Sequence, residues 1–539
     1  MNTALLLNLL LTVGAAPAED PPLNVVWLSI EDMSPWIACY GDDTVPTPNL
    51  DRLAKESWVF ERAYATSPVC APARSTLITG QYATAMGTSH MRTGKPSQAA
   101  LDKNPNAYDG IPNYEGVPDP EVRCFPELLR AAGYYCTNAA KTDYQFAAPA
   151  TVWDQSGGKA HWRHRADGQP FFAVFNHHGT HESQAFPGSR RRPQVVAPED
   201  VPVPPIYPDT PAVRDALART YNNIAVMDAW VGERLDELRE ADLLESTAVF
   251  VFSDHGVGLP RGKRSPSDLG TRVPLLVRLP GGEAQRTERV VSFVDFAPSV
   301  LHLAGLELPG YLPGRPFAGA DLPDGRGLAF THADRFDAAI DSARSVTDGR
   351  FRYVRNYAVD TPFLIPNAYR EKLPMTADLM ALLGAGDGPA EQWMWRCDRR
   401  PTEELYDLEQ DPWETRNLAG DPELASVLER LSAELDGWIE RTGDTGLVLP
   451  EARMVEEQLW PDLVQPRTAP PTLEPSGSGW RLASTTPGAS LGYRIGDSGA
   501  WQLGAEHIDL EPGTAFEALA HRIGYAPARV RLRLPASDG

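Results

Sequence analysis

The residues best suited to chemistry gather around Ser67-Pro68-Val69-Cys70-Ala71-Pro72-Ala73-Arg74-Ser75-Thr76-Leu77-Ile78-Thr79-Gly80. This stretch reads as a loop turning into a helix, with Pro72 at the first helical position, where its missing N–H is not needed. Cys70 then sits just ahead of the helix, where unpaired N–H groups and the macrodipole favour negative charge. Arg74, one turn on, can point back at it. A cysteine in so electropositive a place is a candidate reactive group, whereas an isolated one is more often a small buried residue. Elsewhere Glu31, Asp32 and Asp254 offer hard oxygen ligands, which favour calcium or magnesium over softer metals. His255 departs from an all-oxygen set. A cation held there would raise the local positive potential and help deprotonate a nucleophile at position 70.

These residues need elements to bring them together. Residues 24–30 form an apolar run of strand length without alternation, the pattern of a strand buried on both faces. Similar runs recur at 134–139, 171–176, 247–253 and 273–279. Helical patterns separate them, most clearly over 213–241, with Leu217, Tyr221, Ile224, Val231, Leu235 and Leu238 on one stripe. Shorter helices are expected at 126–132 and 295–304. Strands alternating with helices predict an α/β fold, a large mostly parallel sheet sandwiched by helices. Such sheets hold ligands at the C-terminal ends of their strands. Those ends carry Glu31 and Asp32; Lys141 and Asp143; His177, His178 and His181; and Asp254, His255, Lys263 and Arg264. Any one could be an ordinary strand-end residue, but carboxylates, imidazoles and cations on one edge of one sheet point to a site.

The order Cys70-x-Pro72-x-Arg74, with Leu77-Ile78 and Thr79-Gly80 behind it, resembles the signature of the formylglycine sulfatases. That resemblance spans about residues 24–441. It implies that a separate maturation enzyme oxidises Cys70 to formylglycine. One hydroxyl of the aldehyde hydrate then attacks sulfur and the other expels sulfate. Ser253-Asp254-His255-Gly256 resembles the family's second metal motif, which implies one calcium ion per chain held by Glu31, Asp32, Cys70, Asp254 and His255. Glu31 stands where most members have Asp and is one methylene longer. The same resemblance implies that Arg74 orients and neutralises the hydrate, that Lys141 and Lys263 grip sulfate, and that His181 protonates the leaving oxygen. Around Lys141 the family's Gly-Lys-x-His reads Ala140-Lys141-Thr142-Asp143, with Asp143 in place of the histidine. His177 and His178 are expected to be supporting or structural. Two clusters of cations and aromatics, His90 with Arg92 and Trp162 with Arg163 and Arg165, together with Arg264, are expected to face an anionic sugar.

Composition sets outer limits. With 539 residues the chain is long enough for a large core and smaller units. Its net charge of −22 excludes nucleic acid as a natural partner. It also obliges any anionic substrate to be held by local positive charge. Residues 1–18 read as a signal peptide whose apolar run, 5–13, is too short to span a bilayer, and no other segment looks transmembrane. A periplasmic or secreted protein is therefore expected. Besides Cys70, four cysteines (Cys39, Cys124, Cys136 and Cys397) could pair in an oxidising compartment or remain separate buried thiols.

The expected organisation is a catalytic domain over 19–335, an α+β subdomain over 336–465, a Pro/Ser/Gly/Thr-rich linker over 466–479 and a small all-β sandwich over 480–539. The last resembles the immunoglobulin-like C-terminal module of chitobiase-type glycosidases. An irregular insertion over 361–397 is expected to face the substrate. The function expected is removal of sulfate from a sulfated saccharide. The alternatives are an N-sulfoglucosamine sulfohydrolase, a phosphatase or phosphodiesterase of the same superfold, and a catalytically silent carbohydrate-binding protein.

Overall fold

The computed structural model describes residues 22–93, 111–189, 192–448, 450–477, 479–496, 499–504 and 507–535. The expected signal peptide lies outside them. Eight strands build the main sheet: β1 (Asn24–Ile30), β2 (Trp58–Tyr64), β3 (Tyr135–Ala139), β4 (Gln155–Ser156), β5 (Phe171–His177), β6 (Thr247–Ser253), β7 (Leu275–Arg278) and β8 (Gln285–Ser292). Their order is β4-β3-β5-β1-β6-β7-β2-β8, parallel except that β7 runs antiparallel to both of its neighbours. The mostly parallel α/β sheet is as expected.

The unbroken apolar runs follow from burial on both faces. Val26, Leu28 and Ile30 of β1 point into one core, and Val25 and Trp27 into the other. The first core is closed by the helix Pro211–Glu240 through Val213, Leu217, Ile224, Val231 and Leu235. Thr210 caps that helix by accepting from the Val213 N–H, with Pro211 next. The second core is closed by Phe296–Leu303 and by Leu77 and Ile78 of the helix Cys70–Thr79. Strands β2, β4 and β8 escaped the sequence reading. β2 is interrupted by Glu61 and Arg62, which pair with Arg272, Arg286 and Glu288 at the sheet surface, and edge strand β8 begins exposed and polar.

A second sheet follows, all antiparallel: β9 (Ala329–Ala333), β10 (Ala343–Thr347), β11 (Phe351–Asn356) and β12 (Glu403–Asp407), ordered β12-β11-β10-β9. The helix Ala425–Thr442 covers it with Leu431, Leu435 and Trp438. Because β9 pairs with β10, this unit begins ahead of the expected boundary at 335/336. The segment 361–397 is less irregular than expected. It contains Met375–Met380 and Ala390–Arg396, and its Met375, Leu379, Met394 and Trp395 join the main core.

At the C-terminus β13 (Thr472–Ser476) pairs with β14 (Gly479–Ala483). Strands β15 (Ser490–Arg494), β16 (Gln502–Leu503), β17 (Ala515–His521) and β18 (Ala528–Arg533) form an antiparallel sheet ordered β16-β15-β17-β18. The two sheets share a core of Leu482, Tyr493, Ile508, Phe516 and Ala518. β13 lies inside the expected linker; its Pro475 is tolerated on an edge strand. The unit docks on the catalytic body, with Arg130 Nη2 donating to the Trp501 carbonyl at 2.7 Å and Ser490 Oγ to Glu127 at 3.0 Å. All five cysteines are free thiols. Among the described residues no helix is long and apolar enough to cross a membrane.

His521, buried at the end of β17, has its pKa pushed down to about 4, chiefly by burial. Between about 6.5 and that value the unfolded chain binds a proton that the folded chain does not. Its contribution is therefore present above the unfolded pKa and is lost as pH falls through this window, an effect of up to about 3 kcal/mol. The C-terminal unit is expected to unfold at lower urea at pH 4.5 than at pH 7. The difference should shrink in His521→Phe, and an unchanged pH dependence in that variant would refute this account.

Candidate active site

Register brings the site together. Ile30 at the end of β1 lies beside His177 of β5 and Ser253 of β6. The residues that follow, Glu31-Asp32, His178 and Asp254-His255, therefore leave the sheet side by side. The helix Cys70–Thr79 aims its first turn at the same edge. Cys70 is its first residue, capped by extended Val69, so Pro72 is third rather than first. The shift is tolerated because N–H groups of a first helical turn lack intrahelical partners.

Cys70 Sγ lies 3.2 Å from His255 Nε2, 3.6 Å from Lys263 Nζ and 3.9 Å from Asp32 Oδ1. His255 Nε2 is 3.2 Å from Asp32 Oδ1 and 3.6 Å from Asp254 Oδ1. Burial disfavours its charged form, but Asp254, Cys70 and Asp32 outweigh that and hold its pKa up at about 10. One ligand atom each from Asp32, Cys70, Asp254 and His255 lies within 4.8 Å of the others, and the same holds for Glu31, Asp32, Cys70 and His181. Donor atoms this close, carboxylate oxygens among them, fit one divalent cation.

Cations surround these carboxylates. Lys263 Nζ donates to both oxygens of Asp32, at 2.8 and 3.0 Å. Lys141 Nζ reaches Glu31 Oε2 at 2.7 Å. Arg74 does not point back at Cys70; its Nε donates to Asp254 at 3.0 Å and its Nη1 to Asn176 at 2.7 Å. Burial opposes the charge on Arg74, yet Asp254, Glu31 and Cys70 together raise its pKa above the usual range. His181 Nδ1 accepts the Ser183 N–H at 3.2 Å, which leaves the proton of a neutral ring on Nε2. Burial, then Lys263, pushes its pKa down to about 4, so the ring is neutral near pH 7.

A cavity of about 390 Å³ opens over this edge, lined by Cys70, Glu31, Lys141, His181, Lys263 and Arg264 together with Arg92, His178 and Asp337. Asp32 beneath it, and Arg92, Ala140, Asp143 and Arg264 in its wall, all have left-handed backbone, φ 55° to 82°. Each such residue costs about 1–3 kcal/mol, a strain that concentrates at functional sites.

Four expected sugar-facing residues do not reach the cavity. His90 is buried behind it, its Nδ1 accepting the Arg335 N–H at 3.3 Å. Trp162 stacks on Phe171, first residue of β5 and hence at the opposite end of that strand, and Arg163 and Arg165 lie over its ring. A Trp between two cations reads as a binding motif in sequence, but here it closes the core. Two neighbours were missed and a third was given too small a role. His178, expected to be supporting, lines the cavity and contacts Glu31 at 3.3 Å. Glu182 grips Arg264 through both oxygens, at 2.6 and 2.7 Å. Tyr369, from the 361–397 segment, stands 5.9 Å from Arg92 and 6.5 Å from His181. Sequence signals existed: His178 stands at a strand end, Glu182 adjoins His181, and Tyr369 lies in the segment expected to face the substrate.

The family model described as Sulfatase matches residues 23–157 and 159–306, so it takes in every strand of the main sheet and the side chains around Cys70. The chain belongs to the sulfatase family. An ulvan-active sulfatase of Formosa agariphila is 38% identical over 96% of this chain and 91% of its own. The human N-sulphoglucosamine sulphohydrolase is 29% identical over 84% of this chain and 96% of its own. A solved structure bound to its substrate D-glucosamine-2-N,6-O-disulfate superposes with a TM-score of 0.54 at 16% identity, over 78% of this chain and 98% of that one. Membership makes this a sulfuric ester hydrolase and implies a formylglycine and a metal ion, for which Cys70 and the acidic cluster are the matching groups.

Proposed function

We propose that this sulfatase hydrolyses sulfate from a saccharide at the cavity above Cys70, with formylglycine at position 70 and one calcium ion per chain. The convergence of Cys70, two lysines, an arginine and four metal-suited donors on one sheet edge carries this reading. The ulvan-active relative supports a sulfated saccharide as substrate. Asp32, Asp254, His255 and Glu31 would hold the cation, which polarises sulfate oxygens and favours the ionised nucleophile when bound. The modified Cys70 would supply that nucleophile, with a second hydroxyl to release the product.

The chain's own residues do the rest. Lys141 and Lys263 bind sulfate oxygens and offset charge that develops in transfer. Arg74 fixes Asp254 and adds positive potential behind Cys70. His181 donates a hydrogen bond from Nε2 to the leaving sugar oxygen and steadies the charge that develops there. Arg92 and Arg264, each held by a carboxylate, line the mouth where the sugar enters. A formylglycine-forming maturation enzyme and export to the periplasm or beyond complete the proposal.

A sulfate monoester carries one negative charge and a phosphate monoester nearly two, and we read the two overlapping donor groups, which share Asp32 and Cys70, as the site of one metal rather than of the two that clamp both oxygens in phosphatases. Sulfate release from a panel of sulfated mono- and oligosaccharides is therefore expected to exceed phosphate release from matched esters by at least about a hundredfold in kcat/KM, some 2.7 kcal/mol. Phosphate esters turned over faster than every sulfated sugar would overturn the reading. Activity confined to N-sulfated glucosamine, as the name of the human relative suggests, would narrow it to a sulfamidase.

A further inference from the structure

Charge is unevenly shared along this chain. From residue 466 onward seven arginines stand against seven carboxylates, so the whole net charge of −22 belongs to the rest of the protein. Three of the seven arginines lie on β18. Arg529, Arg531 and Arg533 alternate with Val530 and Leu532, which turn to the core of the unit, and all three arginines are exposed along this edge strand. Residues two apart on a strand repeat at about 6.7 Å. The face continues across the sheet, where Arg531 lies opposite Glu517 and Glu517 opposite Arg494, with which it pairs at 2.6 Å. Trp501 lies between two guanidinium groups, 4.6 Å from that of Arg494 and 5.5 Å from that of Arg529. The ring restrains both, which lowers the entropy lost when they bind an anion. Solvation of an edge strand is served by either sign of charge. A row of one basic sign in a chain with 72 acidic and 50 basic residues runs against its own composition.

From this we infer that the exposed arginine row of edge strand β18, with Arg494 and Trp501 beside it, is a second, non-catalytic binding site for the sulfated polysaccharide chain. Guanidinium groups suit sulfate, which they can contact through paired N–H donors. The acidic body repels a polyanion at long range, but salt confines that field to about 10 Å, and a local basic row then holds the polymer on the enzyme. The choice of a sulfated polymer rests on the function proposed above; the site itself needs no turnover, so the two can fail separately.

The test uses the full chain carrying Cys70→Ala, so that the probe is not consumed. Its mobility is measured by affinity electrophoresis in gels containing dextran sulfate or plain dextran. Retardation by dextran sulfate alone is expected, weakened about tenfold or more in the added triple variant Arg529→Ser, Arg531→Ser, Arg533→Ser. The corresponding triple lysine variant should keep most of it, and an unchanged thermal midpoint would show that the serine variant is folded. With Cys70 intact, turnover of a small aryl sulfate should be the same with and without the serine substitutions, whereas kcat/KM on a sulfated polysaccharide should fall severalfold. Equal retardation of parent and serine variant, or no retardation of the parent, overturns the site. So does tighter binding of the parent to phosphatidylserine vesicles than to dextran sulfate, which would make the face a membrane contact. Absence of sulfate release from every sulfated substrate, with retardation intact, would instead count against the proposed function.

Discussion

Cys70→Ala is expected to lower sulfate release by on the order of 10⁴-fold or more, to the background of the remaining site, while leaving the protein folded. The loss is chemical. Cys70 is buried, with Sγ within 4 Å of His255, Lys263 and Asp32. Alanine removes one sulfur from a polar pocket and leaves the helix Cys70–Thr79 its cap and its packing through Leu77 and Ile78. A stability change of about 1 kcal/mol is the scale for such a truncation. Sulfate release by ion chromatography reads activity, and thermal unfolding reads the fold. Mass spectrometry of the peptide over residues 67–74 should show the wild-type cysteine converted and the variant unmodified. Near-wild-type release from Cys70→Ala would sink the mechanism. Cys70→Ser separates the rival chemistry: a serine nucleophile serves a phosphatase, but it lacks the second hydroxyl needed to release sulfate.

Metal removal should be nearly as damaging. Asp32, Asp254 and His255 crowd their ligand atoms within 4.8 Å, with Glu31 adjoining. Lys263 and Arg74 already neutralise part of that charge, so the apo protein should remain folded. Dialysis against a chelator is expected to cut kcat/KM by more than about a hundredfold, some 2.7 kcal/mol of transition-state stabilisation. Calcium should restore activity and zinc should not, since the donors are mostly hard oxygens. A second readout is independent of turnover. Calcium at a hundred times its dissociation constant should stabilise the folded state by about 2.7 kcal/mol, visible as a higher thermal midpoint. Asp254→Asn should weaken that response. Metal analysis giving two zinc ions per chain would favour phosphatase chemistry.

Much of this was legible in the chain itself. Unbroken apolar runs at β1, β5 and β6 announced strands buried on two faces, and polar residues directly after them announced the active edge. Both inferences hold because a strand's own composition records how many of its faces are buried. The order Cys70-x-Pro72-x-Arg74 carried the family, since a reactive group at a helix start depends on neighbours close in sequence.

What the sequence could not decide is contact between distant segments. Arg74 lies one helical turn from Cys70, yet its guanidinium belongs to Asp254 and Asn176, 180 and 102 residues away. Trp162 with its arginines looked like a sugar platform, and only the stacking on Phe171 places it at the far end of β5. Glu182 lines the cavity because Arg264 holds it there, and Tyr369 stands near Arg92 and His181 because residues 361–397 pack on the main core, contacts made between segments far apart in sequence. Residue type and short-range spacing determine which elements form and which groups can react. The direction each long side chain takes is set by the nearest opposite charge or open space after the elements dock, and that is a property of the tertiary structure alone.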